Sequence, residues 1–129
     1  MKGILLVALG GAIGSVSRFK LSGYILHHTI DWRFPAGTFV VNVLGCLVAG
    51  LLAGLAEKYD YFSADARLLV FTGVLGGFTT FSAFGYETYF LGRSHSWSAA
   101  ALNVGLHLAL ALPAVWIGHR AAVALAHAG

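Results

Sequence analysis

Four long apolar runs divide this chain, covering approximately Gly3 to Leu26, Pro35 to Ala56, Leu68 to Gly92 and Trp97 to Ala126. Each reaches the roughly 20 residues that a helix needs to cross the hydrocarbon core of a bilayer. Charged residues gather in the short connections between them, Asp31 to Arg33, Glu57 to Arg67 and Arg93. Trp32, Trp97, Tyr59 and Tyr61 stand near the ends of the runs, where interfacial aromatics belong. Lipid offers the backbone no hydrogen-bond partner, so each spanning segment must satisfy its own amides as a helix. The pattern predicts an all-α membrane protein, with four transmembrane helices making one domain over residues 1–129.

Composition agrees with the pattern. Apolar residues are 58% of the chain and charged residues 10%, against roughly a quarter charged in a soluble domain; mean hydropathy is +0.80. The first run has some marks of a cleavable signal, with Lys2 ahead of it and small residues from Ala12 to Ser15. Three further runs follow it, however, and Arg18 and Lys20 suit a retained helix whose basic side chains reach an interface. Cys46 lies inside the second run without an intrachain partner and reads as a small buried hydrophobe. The six histidines show no metal-site spacing, and no nucleophile elbow, P-loop or dinucleotide fingerprint is present. Nothing argues for an enzyme, and the net charge of +3 sits beside membrane spans, where it asks for no nucleic-acid partner.

With four spans both termini share one side of the membrane. Lys2, Lys58, Arg67 and Arg120 then fall on the terminal side, and Arg18, Lys20, Arg33 and Arg93 on the other, which divides the 8 basic residues equally. An excess of Lys and Arg in short loops normally sets orientation. Without one, insertion in both directions is expected, and oppositely oriented copies can pair as an antiparallel homodimer. Small residues spaced by four, Gly10 and Gly14, Gly50 and Gly54, Gly73 and Gly77, Ala49 and Ala53, mark faces where helices approach closely.

The candidate chemistry concentrates in the third run, in Gly73-Val-Leu-Gly-Gly-Phe-Thr-Thr-Phe-Ser-Ala-Phe84. Adjacent glycines and two β-branched threonines weaken a helix near the bilayer midplane. Either the helix continues with a glycine packing face, or it breaks and leaves carbonyls that suit a structural cation. Phe78, Phe81 and Phe84 form a stripe that fits lipid or core packing equally; Thr79, Thr80 and Ser82 on the same turns, with Asn42 in the second run, also fit a polar pathway. Amide NH2 groups, hydroxyls and phenyl edges can replace the water of an anion without trapping it as a fixed cation would. This inventory favours an anion over a cation as the permeant species. Glu87 reads as an intramembrane functional acid or as a solvated interfacial one, and Arg18 as a vestibule cation or a snorkelling anchor. Asn103 and His107, four apart in the fourth run, either line a pathway or form a hydrogen-bonded core pair, and Pro113 is placed to kink that helix.

These residues resemble the Fluc fluoride channels, also called the CrcB family. The resemblance is carried by Gly10-Gly-Ala-Ile-Gly14 with Arg18, by Pro35-Ala-Gly-Thr-Phe-Val-Val-Asn42 with Gly45, and by the Gly73 to Phe84 segment with Glu87-Thr88. It covers the first three spans; the fourth is similar in hydropathy only. It implies a broken third helix and an antiparallel, dual-topology homodimer with two pores. It also implies a central sodium ion held by backbone carbonyls, here those of Gly76 and Thr79. By the same resemblance Asn42, Phe81 and Phe84 line each pore, Thr80 and Ser82 form a polar track beside it, and Glu87 is the acid that follows. The implied function is passive export of cytoplasmic fluoride across the inner (plasma) membrane. Two departures stand out. Ala83 replaces a hydroxyl common in the motif, and Asn103 and His107 occupy positions where relatives carry Tyr and Ser, so that a histidine, a residue type able to make conductance depend on pH, joins the pathway.

Two other classes fit the four runs. A small multidrug exporter uses a carboxylate within its first helix, and this chain has none before Asp31. A non-transporting membrane scaffold explains the glycine faces but not the clustered Asn, Thr and Phe. Dual insertion gives a direct expectation: a tag on the C terminus is accessible to impermeant labels from both faces of the membrane, and labelling from one face alone excludes it.

Overall fold

The computed structural model describes residues 1–59 and 62–127, with the side chains of Lys58 and Tyr59 set aside. Tyr61, expected at an interface, lies outside the described residues, as do the side chains of Lys58 and Tyr59. The described residues are helical, with no strand among them. Helix α1 is Lys2–His28 and α2 is Ala36–Tyr59. Helix α3 covers 64–78, opening as α-helix at Ala64–Arg67, widening to a π-helix over Leu68–Leu75 and closing at Gly76–Phe78. Thr79 and Thr80 follow in extended conformation, with φ/ψ of −85/156° and −151/113°. Helix α4 is Phe81–Arg93, and α5 runs from Trp97 to His127 with a π-helical stretch at His107–Ala111, just ahead of Pro113. Among the described residues, four segments are long and apolar enough to cross a membrane: Lys2–His28, Ala36–Glu57, Ala64–Arg93 and Trp97–His127.

The segments run up and down. Lys2 pairs with Asp65, and His119 Nε2 lies 2.8 Å from Glu57 Oε2, so the start of α1, the end of α2, the start of α3 and the end of α5 share one end of the bundle. Arg33, Phe34, His95 and Ser96 meet at the other. Helix α1 packs mainly on the π-helical part of α3, and α2 mainly on the second half of α5.

Polarity is inverted relative to a water-soluble bundle. Large apolar side chains such as Ile4, Leu9, Ile13, Phe19, Leu108 and Trp116 are exposed. The buried set is dominated by small residues, Ala36, Ala56, Ala100, Ala114, Ala122 and Ala126, together with the polar Thr38, Asn42, Asn103 and His107. Where lipid is as apolar as leucine, burying leucine gains little, and helices associate through close packing and interhelical hydrogen bonds. The glycines supply the close packing. A Cβ on Gly14 would stand 2.1 Å from the Val74 carbonyl oxygen, and one on Gly50 1.9 Å from that of Val115. On the facing helix, a Cβ on Gly118 would stand 2.2 Å from the Leu47 oxygen.

The expected consequence is local and measurable. Gly50→Ala must push α5 away from α2 and should cost about 1–3 kcal/mol, as overpacking does. Gly105→Ala, whose Cβ meets nothing within 4 Å, should leave the thermal unfolding temperature in detergent unchanged. Equal behaviour of the two variants would refute the close-packing account.

Candidate functional site: the Thr79–Thr80 segment and its surroundings

A helix that stops in an apolar environment must find new partners for its freed amides and carbonyls. In this chain side chains supply much of the replacement. Thr79 turns back, its backbone N–H and its Oγ1 both donating to the Leu75 carbonyl at 3.0 and 2.9 Å. Arg18 Nε on α1 donates to the Gly77 carbonyl at 3.1 Å. Thr80 Oγ1 accepts from the Ala83 N–H at 3.1 Å, capping α4, and lies 3.1 Å from Ser82 Oγ. The sequence is suited to this: Thr is a good N-cap residue, and its branched side chain favours extended backbone over helix.

Asn42 completes the set from α2. Its Oδ1 accepts from the Thr80 N–H at 2.8 Å, and its Nδ2 donates to the Thr80 carbonyl at 3.0 Å. Because an amide N–H must donate, the Thr80 bond fixes which end of the Asn42 amide is oxygen. Nδ2 also lies 3.3 Å from His107 Nε2, and a primary amide nitrogen can only donate. The His107 Nε2 therefore accepts, and its Nδ1–H donates to the Asn103 carbonyl at 2.9 Å. The histidine is held as the neutral Nδ1–H tautomer. Gly45, three residues beyond Asn42, makes room for this arrangement: a Cβ there would come within 2.2 Å of Thr79 Cγ2.

Two cavities flank the segment, and Thr80 borders both. One, of about 420 Å³, is lined by Ser15, Arg18, Ser22, Thr38, Thr80 and Glu87 among others. The other, of about 270 Å³, is lined by Asn42, Cys46, Thr79, Thr80, Phe81, Phe84 and His107 with aliphatic neighbours. The Phe81 and Phe84 ring centroids are 5.4 Å apart, and Phe84 lies 4.4 Å from the His107 ring. Phe81 itself is 84% exposed.

The expected residues divide accordingly. Asn42, Thr79, Thr80, Phe81, Phe84 and His107 come together on one cavity, and Arg18, Thr80 and Glu87 on the other. Ser82 is exposed beside Thr80, and Gly76 opens the last α-helical stretch of α3, Gly76–Phe78. Asn103 lines neither cavity; it is fully buried and donates from Nδ2 to Thr88 Oγ1 at 2.8 Å. Arg18 and Glu87 share a cavity without forming an ion pair. Sequence reasoning passed over Thr38, whose hydroxyl donates to Glu87 Oε1 at 2.5 Å, and Phe39, whose ring meets His107 edge-on at 5.2 Å. Thr88, though part of the Glu87-Thr88 match, had no role assigned to it. Thr38 had a visible signal, since it lies four residues before Asn42 on the same helix face.

A family model described as CrcB-like protein, Camphor Resistance (CrcB), matches residues 5–119. The chain belongs to the CrcB family. Among CrcB relatives, the fluoride-specific ion channel FluC of Methylobacillus flagellatus is 54% identical over 115 residues, 89% of this chain and 90% of that protein. The FluC of Opitutus terrae is 50% identical over 123 residues, 94% of this chain and 92% of its own length. That of Nitratidesulfovibrio vulgaris strain Miyazaki F is 42% identical over 118 residues, 92% and 94% of the two chains. This CrcB protein therefore crosses the membrane several times and shares nearly its whole length with proteins named as fluoride channels.

Replacing Asn42 by Ala removes three hydrogen bonds at once and leaves both the Thr80 N–H and C=O unpaired in apolar surroundings. Each orphaned buried group costs about 1–3 kcal/mol, so the variant should unfold at a clearly lower temperature in detergent. Unchanged stability would show that Asn42 is not what satisfies the segment.

Proposed function

We propose that this CrcB protein is a passive fluoride channel in the inner (plasma) membrane, exporting cytoplasmic fluoride through two pores of an antiparallel, dual-topology homodimer. The observation that carries the reading is the row of uncharged donors around Thr80, which joins the two cavities in a chain 54% identical to a fluoride-specific channel. An anion that leaves water must be offered hydrogen-bond donors in its place, but a permanently charged, unpaired side chain in the path would hold it too strongly for passage. The hydroxyls of Thr80 and Ser82 and the electropositive edges of Phe81 and Phe84 meet the first need without the second difficulty. Among the described residues the one permanent cation nearby, Arg18, sits at the 420 Å³ vestibule, where it draws anions in and is itself tied to a carbonyl.

The exposure of Phe81 supports a dimer, since a pore-lining ring has to be covered by another chain or lose its role. The third membrane segment then acts as a helix broken near the midplane, with a structural sodium ion bound at the break. The carbonyls of Gly76 and Thr79 suit that ion: among the described residues no side chain donates to either, and Thr79 is extended. Bound there, sodium would offset the partial negative charge of unpaired carbonyls where two copies meet.

Purified protein in liposomes should release fluoride down its gradient, and an imposed proton gradient should not drive that release. Phe81→Ile removes a ring edge, whose electrostatic contact contributes about 0.5–1.5 kcal/mol, and should slow release by roughly 2- to 12-fold. Vesicles that hold their fluoride with wild-type protein present would overturn the channel reading.

A further inference from the structure

Among the described residues, His107 is the one ionisable side chain hydrogen-bonded to the candidate pore amide, and the channel reading makes no use of its titration. Its surroundings define what a proton would do. On α2 it meets Asn42 at 3.3 Å and the Phe39 ring, with the Cys46 thiol one turn further along the same cavity. On α4 it meets Phe84, and the unwound segment adds Thr79 and Thr80 to the shared cavity. On its own helix it meets the Asn103 carbonyl. Glu87 is turned to Thr38 in the other cavity, and Arg18 on α1 is turned to Gly77. Among the described residues no charged side chain pairs with the imidazole ring.

Both hydrogens of the Asn42 amide are occupied in this state, one by the Thr80 carbonyl and one by His107 Nε2. A protonated imidazole carries N–H on both nitrogens and cannot accept. The Asn42 hydrogen that pointed at Nε2 then faces another donor and must let go. Asn42 does not swing away, because Oδ1 remains on the Thr80 N–H and the second hydrogen on the Thr80 carbonyl.

The geometry points to His107 as a proton-operated positioning residue: neutral, it holds one Asn42 amide hydrogen out of the anion path, and protonated, it releases that hydrogen and adds its own Nε2–H at the same cavity. Protonation thus converts an acceptor–donor pair that satisfies itself into two donors that an anion can satisfy. The neutral ring closes a donor site, and the charged ring opens it. Fluoride conduction through this chain is accordingly faster at acid pH. This rests on the channel reading above.

The test is fluoride efflux from liposomes between about pH 8 and pH 5, the range in which histidine titrates, with the leak of hydrogen fluoride through protein-free vesicles subtracted. Wild-type efflux should rise by roughly tenfold toward acid pH, as befits gaining a hydrogen bond to a charged species. His107→Gln, which keeps an acceptor within reach but cannot titrate, should lose the rise toward acid pH, whatever its absolute rate. Nitrogen NMR of histidine-labelled wild-type protein in lipid gives a second measurement that needs no variant. At neutral pH the His107 ring should show the Nδ1–H tautomer, and Nε2 should take up its proton over the same range as the rise in efflux. Efflux that is present but flat with pH, a Gln variant that keeps the pH dependence, or an Nε2–H tautomer at neutral pH would each overturn the inference. Absence of efflux in wild type would instead remove the channel reading on which it stands.

Discussion

The arrangement depends on one side chain doing the work of two backbone groups. In a membrane span, ending a helix exposes donors and acceptors where no water can meet them. Asn42 presents a carbonyl and an NH2 to the C=O and N–H of Thr80, at 3.0 and 2.8 Å, and so pairs a residue of extended backbone as a neighbouring strand would. Arg18 meets the Gly77 carbonyl and Thr80 Oγ1 the Ala83 N–H. With the backbone thus paired by side chains, Phe81 can start a new helix and the cavities on either side can be lined by hydroxyls and rings.

Close packing makes that pairing reachable. Asn42 is short, so α2 must stand near the unwound segment, and Gly45 admits the Thr79 methyl group where any Cβ would collide. The same device recurs at Gly10 and Gly14 against α3, and at Gly50 against α5. The core is consequently made of glycine, alanine and a few polar side chains, and the bulky apolar residues face outward. Such an interior holds its helices by contact and hydrogen bonding, which is what the bilayer permits.

Much of this was legible in the chain. The four runs give the spans because twenty apolar residues have few other uses, and the Asn42 and Gly73 to Phe84 motifs gave the residues that meet at Thr80. Helix ends were less visible. The third segment begins at Ala64 and not near Leu68, because Ser63 caps it by accepting from the Ala66 N–H, and the polar turn Ala64–Arg67 does not register as apolar. Adjacent glycines suggest weakness at Gly76–Gly77, yet the extended residues are the threonines, since that is where Asn42 and the Thr80 hydroxyl offer replacement bonds. Thr38 and Thr88 stood in the matching motifs, but their bonds were not legible because their partners, Glu87 and Asn103, lie 49 and 15 residues away and are joined to them only by packing. The fourth segment had no motif to read, and Asn103 and His107, both buried, reach different partners. One is buried against Thr88, and the other holds the amide of Asn42.

The central claim is that extended backbone at Thr79 and Thr80 persists in lipid because Asn42 pairs it. Solid-state NMR of the protein in bilayers measures it directly. The account predicts extended-type carbon shifts at those two residues between helical neighbours, with a Thr80 amide that resists hydrogen exchange and loses that protection when Asn42 is replaced. Uninterrupted helical shifts from Gly76 to Phe84 would contradict it.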